Sequence, residues 1–245
     1  DSTAVTSNKL LNTFFKNKDY IIDLKDVNGI GEYAFDGCLA TEVINYDDVS
    51  VCYQNAFTGS MLSKSKKIYK NGAFVLGKIL IDIDGSAEVA VISKETRIIA
   101  DNFQIPTSLD EIIFEQAESL NLFSLDMQSP NTITINDSSK MPIAKFSQYV
   151  RYKRTKNINI TDKNELYCSI DGVVYTKDKK RLIAYPENRA GYFEIPEGTE
   201  VISGYAFASS KIESVKFPES LSWIEDDAFF RCEKLKHISL NHTIE

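Results

Sequence analysis

At 245 residues, 43% of them hydrophobic, the chain is long enough to bury a substantial core in one or two domains. A formal charge of −7 and a pI near 5.1 argue against a general role on nucleic acid or an anionic membrane, since both need excess positive charge. No apolar run approaches the ~20 residues that span a bilayer, and four cysteines are too few for a disulfide-built scaffold.

The first ten residues, DSTAVTSNKL, are polar, lack an initiator Met and carry no apolar signal segment, so a mature or trimmed start is expected. SNKLLNTFFKNK follows, with Leu10, Leu11, Phe14 and Phe15 on one helical face and Ser7 placed as an N-cap. Residues 1–19 are therefore expected to form a capping helix. From residue 20 to 115 a phrase recurs: GIGEYAF ends at Phe35, VCYQNAF at Phe57 and RIIADNF at Phe103. It returns as VISGYAF at Phe207 and WIEDDAF at Phe229, and both Phe35 to Phe57 and Phe207 to Phe229 span 22 residues. Ile30, Cys52, Ile98, Ile202 and Ile224 stand five residues before each Phe.

A second phrase, with two alternating apolar positions at its end, follows the Phe: Leu109-x-x-Ile112-x-Phe114, Ile212-x-x-Val215-x-Phe217 and Leu235-x-x-Ile238-x-Leu240. Such alternation is what a strand with one buried face requires. Upstream, Val89/Val91 and Phe193/Ile195 are assigned equivalent inward slots, and Ile22/Leu24 take them if one residue is deleted. A coil of 22–23 residues cannot enclose its own apolar face, so the pattern predicts a solenoid whose coils bury that face against one another. So short a coil has no room for a crossover helix. Its return wall is expected to be turns, 3-10 pieces and a second short strand.

GAFVLGKILIDIDG at 72–85 and YCSIDGVVYTKDKKRLIAYP at 167–186 interrupt the period and read as inserted β-hairpins. Residues 116–165 show no repeat phrase and are expected to be irregular repeats or an insertion. The segment 166–245 is a hairpin followed by regular repeats, and ISLNHTIE ends where another coil is due, as if cut from something longer or deprived of a cap.

FEIPEGTEVISGYAFASSKIESVKFPESLSWIEDDAFFRCEKLKHISL, residues 193–240, resembles the BspA-like leucine-rich repeats. Residues 20–60 and 86–115 share the resemblance more loosely. It implies one mostly β leucine-rich-repeat solenoid over residues 1–245, with a parallel sheet of short strands on one wall. It also implies a secreted or cell-surface bacterial protein with a protein or glycan ligand, in an adhesion-type role. A purely structural spacer or stalk within a longer surface protein is the alternative. A monomer without cofactor is expected.

Catalytic signals are weak. His237 and His242 are the only imidazoles, and both read as surface residues; no Gly-x-Ser-x-Gly elbow or Gly-rich phosphate loop is present. DIDG at 82–85 lacks the later ligands of a calcium loop and reads as a hairpin turn. Asp226 and Asp227 lie within the repeat phrase as loop residues, and YVRYKRTK at 149–156 reads as a solvated face. Cys38 and Cys232 share a slot with Ser60 and Ser210, and Cys52 takes an Ile position; these are places for small buried side chains rather than disulfide or metal ligands. No enzyme is expected. Binding is expected on the outward strand positions, which place Glu42, Glu111, Tyr192, Ser214 and His237 in one column. Ile44, Ile113, Glu194, Lys216 and Ser239 form the next, with Ile44, Ile113 and Tyr192 exposed.

Overall fold

Phe207 and Phe229, equivalent residues of two successive repeats, stack face to face inside a coiled tube, with ring centroids 4.7 Å apart. The computed structural model describes residues 20–64, 69–100, 103–116, 130–136 and 154–239. The chain divides into two compact units, one running to Leu109 and one beginning at Asp110. Each is a β-solenoid. The predicted capping helix over 1–19 lies outside the described residues, and nothing in the described structure supports it. Among the described residues, helix amounts to a 3-10 turn at Gln54–Phe57 and one α-turn at Met61–Lys64.

In the first unit, β1 (Tyr20–Asp23) pairs in parallel with β3 (Ala40–Ile44), matching Ile22 to Val43 and Asp23 to Ile44. On the return wall, β2 (Gly29–Ile30) pairs with β4 (Val51–Cys52). A parallel pair needs a crossover of a dozen or more residues, and here one turn of the coil supplies it. Ile22, Leu24, Ile30, Phe35, Cys38 and Ala40 face inward and are buried. Phe35 stacks on Phe57 at 5.2 Å, and Phe57 meets Phe74 edge-on at 6.1 Å.

The hairpin predicted at 72–85 is β5 (Ala73–Leu76) with β6 (Ile79–Ile83). Gly77 turns it at φ +60°, where an added Cβ would lie 2.6 Å from the Tyr46 ring, so glycine is required twice over. DIDG is not the turn of this hairpin, which falls at Gly77–Lys78; instead it leads from β6 toward β7 (Val89–Ile92). Asp84 closes that bend by accepting hydrogen bonds from the Ser86 backbone N–H at 2.9 Å and its hydroxyl at 2.8 Å. β7 corrects a second expectation: Ala90 and Ile92 are buried, while Val89 is 45% exposed and Val91 half-buried. All four residues are small or aliphatic, so composition gives no face, and a slip of one residue inverts the strand. β6 also pairs in parallel with β8 (Ile98–Ile99), so the hairpin's second strand is itself part of the return wall.

The second unit begins with β9 (Glu111–Phe114), β10 (Thr132–Ile135) and β11 (Asn157–Ile160), three parallel strands in unbroken register. Ile112, Ile133 and Ile158 form one inward row, and Phe114, Ile135 and Ile160 the next, all buried. Residues 116–165 thus contain two regular rungs of the sheet, not only irregular chain. The signal was TITI and NINI, two short alternations without an Ala–Phe phrase to mark them.

An antiparallel meander follows: β12 (Tyr167–Ile170), β13 (Val173–Thr176) and β14 (Arg181–Ala184). The sequence showed a hairpin here; its first strand adds a third member. Gly172 turns β12 into β13 at φ +71° and passes so close to Asn157 that a Cβ would lie 2.6 Å from its amide oxygen. The regular repeats then build two ladders. β15 (Ala190–Glu194), β17 (Lys211–Lys216) and β19 (His237–Ser239) form the sheet wall. β14, β16 (Val201–Ile202) and β18 (Trp223–Ile224) form the return wall. β14 repeats the device of β6, a hairpin strand serving as a coil wall.

Tyr185 is a rung that sequence reasoning missed. It stacks on Phe207 at 4.8 Å, 22 residues before it, and extends the column Tyr185–Phe207–Phe229. Backbone bonds hold the column in phase: Tyr185 N–H donates to Ala206 O at 2.7 Å, and Phe207 N–H to Ala228 O at 2.8 Å. The sequence hides it because RLIAY reaches its aromatic two residues sooner than VISGYAF does, while the Ala–aromatic pair is kept.

Candidate binding face

On a strand, side chains alternate between the core and the opposite face, so the outward positions of each ladder form columns. In the β15–β17–β19 ladder, Tyr192 aligns with Ser214 and His237, and Glu194 with Lys216 and Ser239. In β9–β10–β11, Glu111 aligns with Thr132 and Asn157, and Ile113 with Thr134 and Asn159. In β1–β3, Glu42 aligns with Ile21, and Ile44 with Asp23. Every predicted site residue is thus on an outward column, but the columns belong to three ladders rather than to one continuous pair. The β12–β14 meander is what separates the two ladders of the second unit: Ile158 N–H donates to Gly172 O at 2.9 Å.

Exposure also divides the candidates. Tyr192 is 60% exposed, whereas Ile44 and Ile113, predicted to be exposed, are half-buried by their neighbours. Ile21, not predicted, is 52% exposed beside Glu42; YIID gave no alternation from which to read its face. Glu42, Glu194, Lys216 and His237 are exposed, and Ser214 and Glu111 half-buried. His237 stands in the outward column of β19, and His242 lies outside the described residues.

Tyr192, Glu194 and Lys216 form one connected group. Lys216 Nζ donates to Glu194 Oε1 at 2.7 Å, and the Tyr192 hydroxyl donates to Glu194 Oε2 at 3.1 Å. The Glu194 carboxyl is held below its ordinary range chiefly by the Lys216 hydrogen bond, and Lys216 is raised in return. Beneath, the Arg189 guanidinium lies 5.5 Å from the Phe193 ring and 5.9 Å from Tyr185, and pairs with Asp171 of the meander. That arrangement ties the start of β15 to the meander turn. In β9–β10, the Thr134 hydroxyl reaches diagonally from the column of Ile113 to donate to the Glu111 carboxylate. The Tyr192 group presents an aromatic ring, a cation and a carboxylate on one strand face.

The cysteines fill their slots: Cys38 and Cys52 are buried, and Cys232 Sγ donates to Phe207 O at 2.9 Å. Among the described residues, no three His, Cys, Asp or Glu side chains converge. Of the basic run, Arg154, Thr155 and Lys156 are described, and Thr155 is buried with its hydroxyl donating to Pro130 O at 3.0 Å.

The family described as the BspA type leucine rich repeat region matches residues 8–116 and 184–245, in six copies. The rungs at β10 and β11 lie outside that match. No curated protein sequence matches the chain. Among solved structures, the chain is similar to the pneumococcal vaccine antigen PcpA, at 20% identity and a TM-score of 0.39, covering 90% of this chain and 50% of that one. A leucine rich cell surface protein from Faecalibacterium prausnitzii is similar at 21% identity and a TM-score of 0.46, covering 94% and 62%. A leucine-rich repeat protein from Eubacterium ventriosum shows 15% identity and a TM-score of 0.34, covering 87% and 70%. The chain therefore spans half the length of the first and about three fifths of the second.

Proposed function

The chain belongs to the BspA-type leucine-rich repeat family, and on that premise we propose that it is a secreted or cell-surface interaction module without catalytic activity. It binds a macromolecular partner, in an adhesion-type role, through the outward face of β15, β17 and β19. The observation that carries this reading is Tyr192. A residue 60% exposed in mid-strand adds nothing to the core, yet its hydroxyl is oriented by Glu194, which Lys216 orients in turn. Aromatic rings held in one conformation lose little entropy on binding, which is why such residues carry interface energy.

The test is retention on an array of matrix and cell-surface proteins. The wild-type chain is expected to hold at least one partner, and Tyr192→Ser combined with Lys216→Glu to lose it with the melting temperature unchanged. An array left blank by the wild-type chain, or binding that survives the double substitution, would remove the sheet face from consideration and favour a spacer.

A further inference from the structure

The return wall carries a second constructed surface, independent of the sheet-face reading. Tyr205 sits in a coil covered on both sides, yet is 40% exposed, and its backbone is held at φ +60°. That region disfavours a bulky side chain, and is held here by the turn bonds Ala206 N–H to Ser203 O and Ala208 N–H to Tyr205 O. Its ring meets Phe230, also 40% exposed, edge-on at 5.9 Å and 71°. The Tyr205 hydroxyl donates to Asp227 Oδ2 at 2.7 Å, and the Arg231 guanidinium lies 5.1 Å from the Phe230 ring centroid.

The other coils show that this cluster is not required by the fold. The position directly after the rung Phe holds Asp36, Thr58, Gln104 and Ala208 in sister coils and Phe230 here. Tyr33 occupies the slot of Tyr205 in the first unit, also at positive φ and 55% exposed. Among the described residues, a tyrosine at that slot is joined by a second ring, a carboxylate and a guanidinium only in the last two coils.

We propose that Tyr205, Phe230, Asp227 and Arg231 form a contact site for an uncharged pyranose of a glycan. A sugar ring has an apolar C–H face that lies against an aromatic ring and a rim of hydroxyls that both donate and accept. The cluster offers matching parts: ring surface, a carboxylate to accept, and a guanidinium to donate. Its charge selects the ligand class. A sulfated or acidic chain meets the carboxylate of Asp227, and a basic peptide meets Arg231 already over Phe230. A neutral ring meets neither penalty. The turns are fixed by backbone bonds between coils, such as Ser209 N–H to Phe230 O at 2.8 Å, so little ordering accompanies binding.

The experiment is titration calorimetry with soluble neutral glucans, mannans and N-acetylglucosamine oligomers, and with heparin as the acidic comparator. At least one neutral glycan is expected to bind. Phe230→Ala, which installs the residue of the sister coil, and Tyr205→Asn, which tolerates positive φ, are each expected to weaken it by about tenfold. Both variants should melt as the wild type does. Tyr192→Ser with Lys216→Glu should bind the glycan normally, separating this site from the sheet face. No binding across the neutral panel, preference for heparin, or undiminished affinity in Phe230→Ala would each overturn the proposal.

Discussion

Phe207 and Phe229 lie 22 residues apart in the chain, and their rings stack 4.7 Å apart with planes 12° from parallel. That distance matches the ~4.8 Å separation of neighbouring strands, so the aromatic column and the hydrogen-bonded walls share one repeat. Phe207, fully buried between Tyr185 and Phe229, is the middle rung. Phe207→Ala leaves a cavity that neither neighbour can fill without breaking step. A loss of about 3–5 kcal/mol is expected, read from urea unfolding of the variant against the wild type.

The interior rows of β9, β10 and β11 predict that residues without a recognisable repeat phrase bear the same weight. Ile133 is 5% exposed, between Ile112 and Ile158. Ile133→Ala is expected to cost about 2–4 kcal/mol by urea unfolding. A cost near zero would mean that β10 is a loosely attached insert after all.

Tyr185 differs from the phenylalanine rungs by a buried hydroxyl that makes no hydrogen bond of good geometry, although the Arg189 guanidinium lies beside it. Tyr185→Phe is therefore expected to be neutral or to stabilise the fold by about 1 kcal/mol. Burial pushes the Tyr185 phenol up to about 12, against the positive charge of Arg189. In the unfolded chain it ionises near 10. The folded state keeps its proton when the unfolded state has lost it, so this contribution is complete below pH ~10 and is lost as pH rises toward 12. Stability measured across that window should fall less steeply in Tyr185→Phe.

The coils of Phe35, Phe57, Phe207 and Phe229 also bend through a left-handed residue two positions after the aromatic rung: Gly37, Gly59, Ser209 and Arg231, at φ +64°, +66°, +59° and +55°. Glycine adopts this conformation without a Cβ penalty, and serine does not. Ser209→Gly keeps the Ser209 N–H bond to Phe230 O and is expected to stabilise by about 0.5–1 kcal/mol. The melting temperature checks it: it should rise.

On the sheet face, Lys216→Ala should release Glu194 from its principal partner. The Glu194 carboxyl, held low by Lys216 and then by Tyr192, is expected to titrate closer to its ordinary range, as followed by NMR of the side-chain carboxyl. Both groups are exposed, so the urea midpoint should not move.

The amino-acid sequence by itself determined the solenoid, its period and its principal rungs, because an Ala–Phe pair must recur in phase wherever large rings stack at the centre of a narrow coil. It placed Phe35, Phe57, Phe207 and Phe229, the small-residue slot of Cys38, Ser60, Ser210 and Cys232, and the outward columns of β15 and β17. Only the tertiary structure decided that Tyr185 completes the column, that β10 and β11 continue the sheet, and that Ala90 rather than Val89 faces inward. It also decided that Tyr205 meets Phe230 on the surface. A strand of three or four residues carries too little alternation to declare its own face. What fixes that face is a hydrogen-bonded partner twenty or more residues away, and the partner exists only once the coils have stacked.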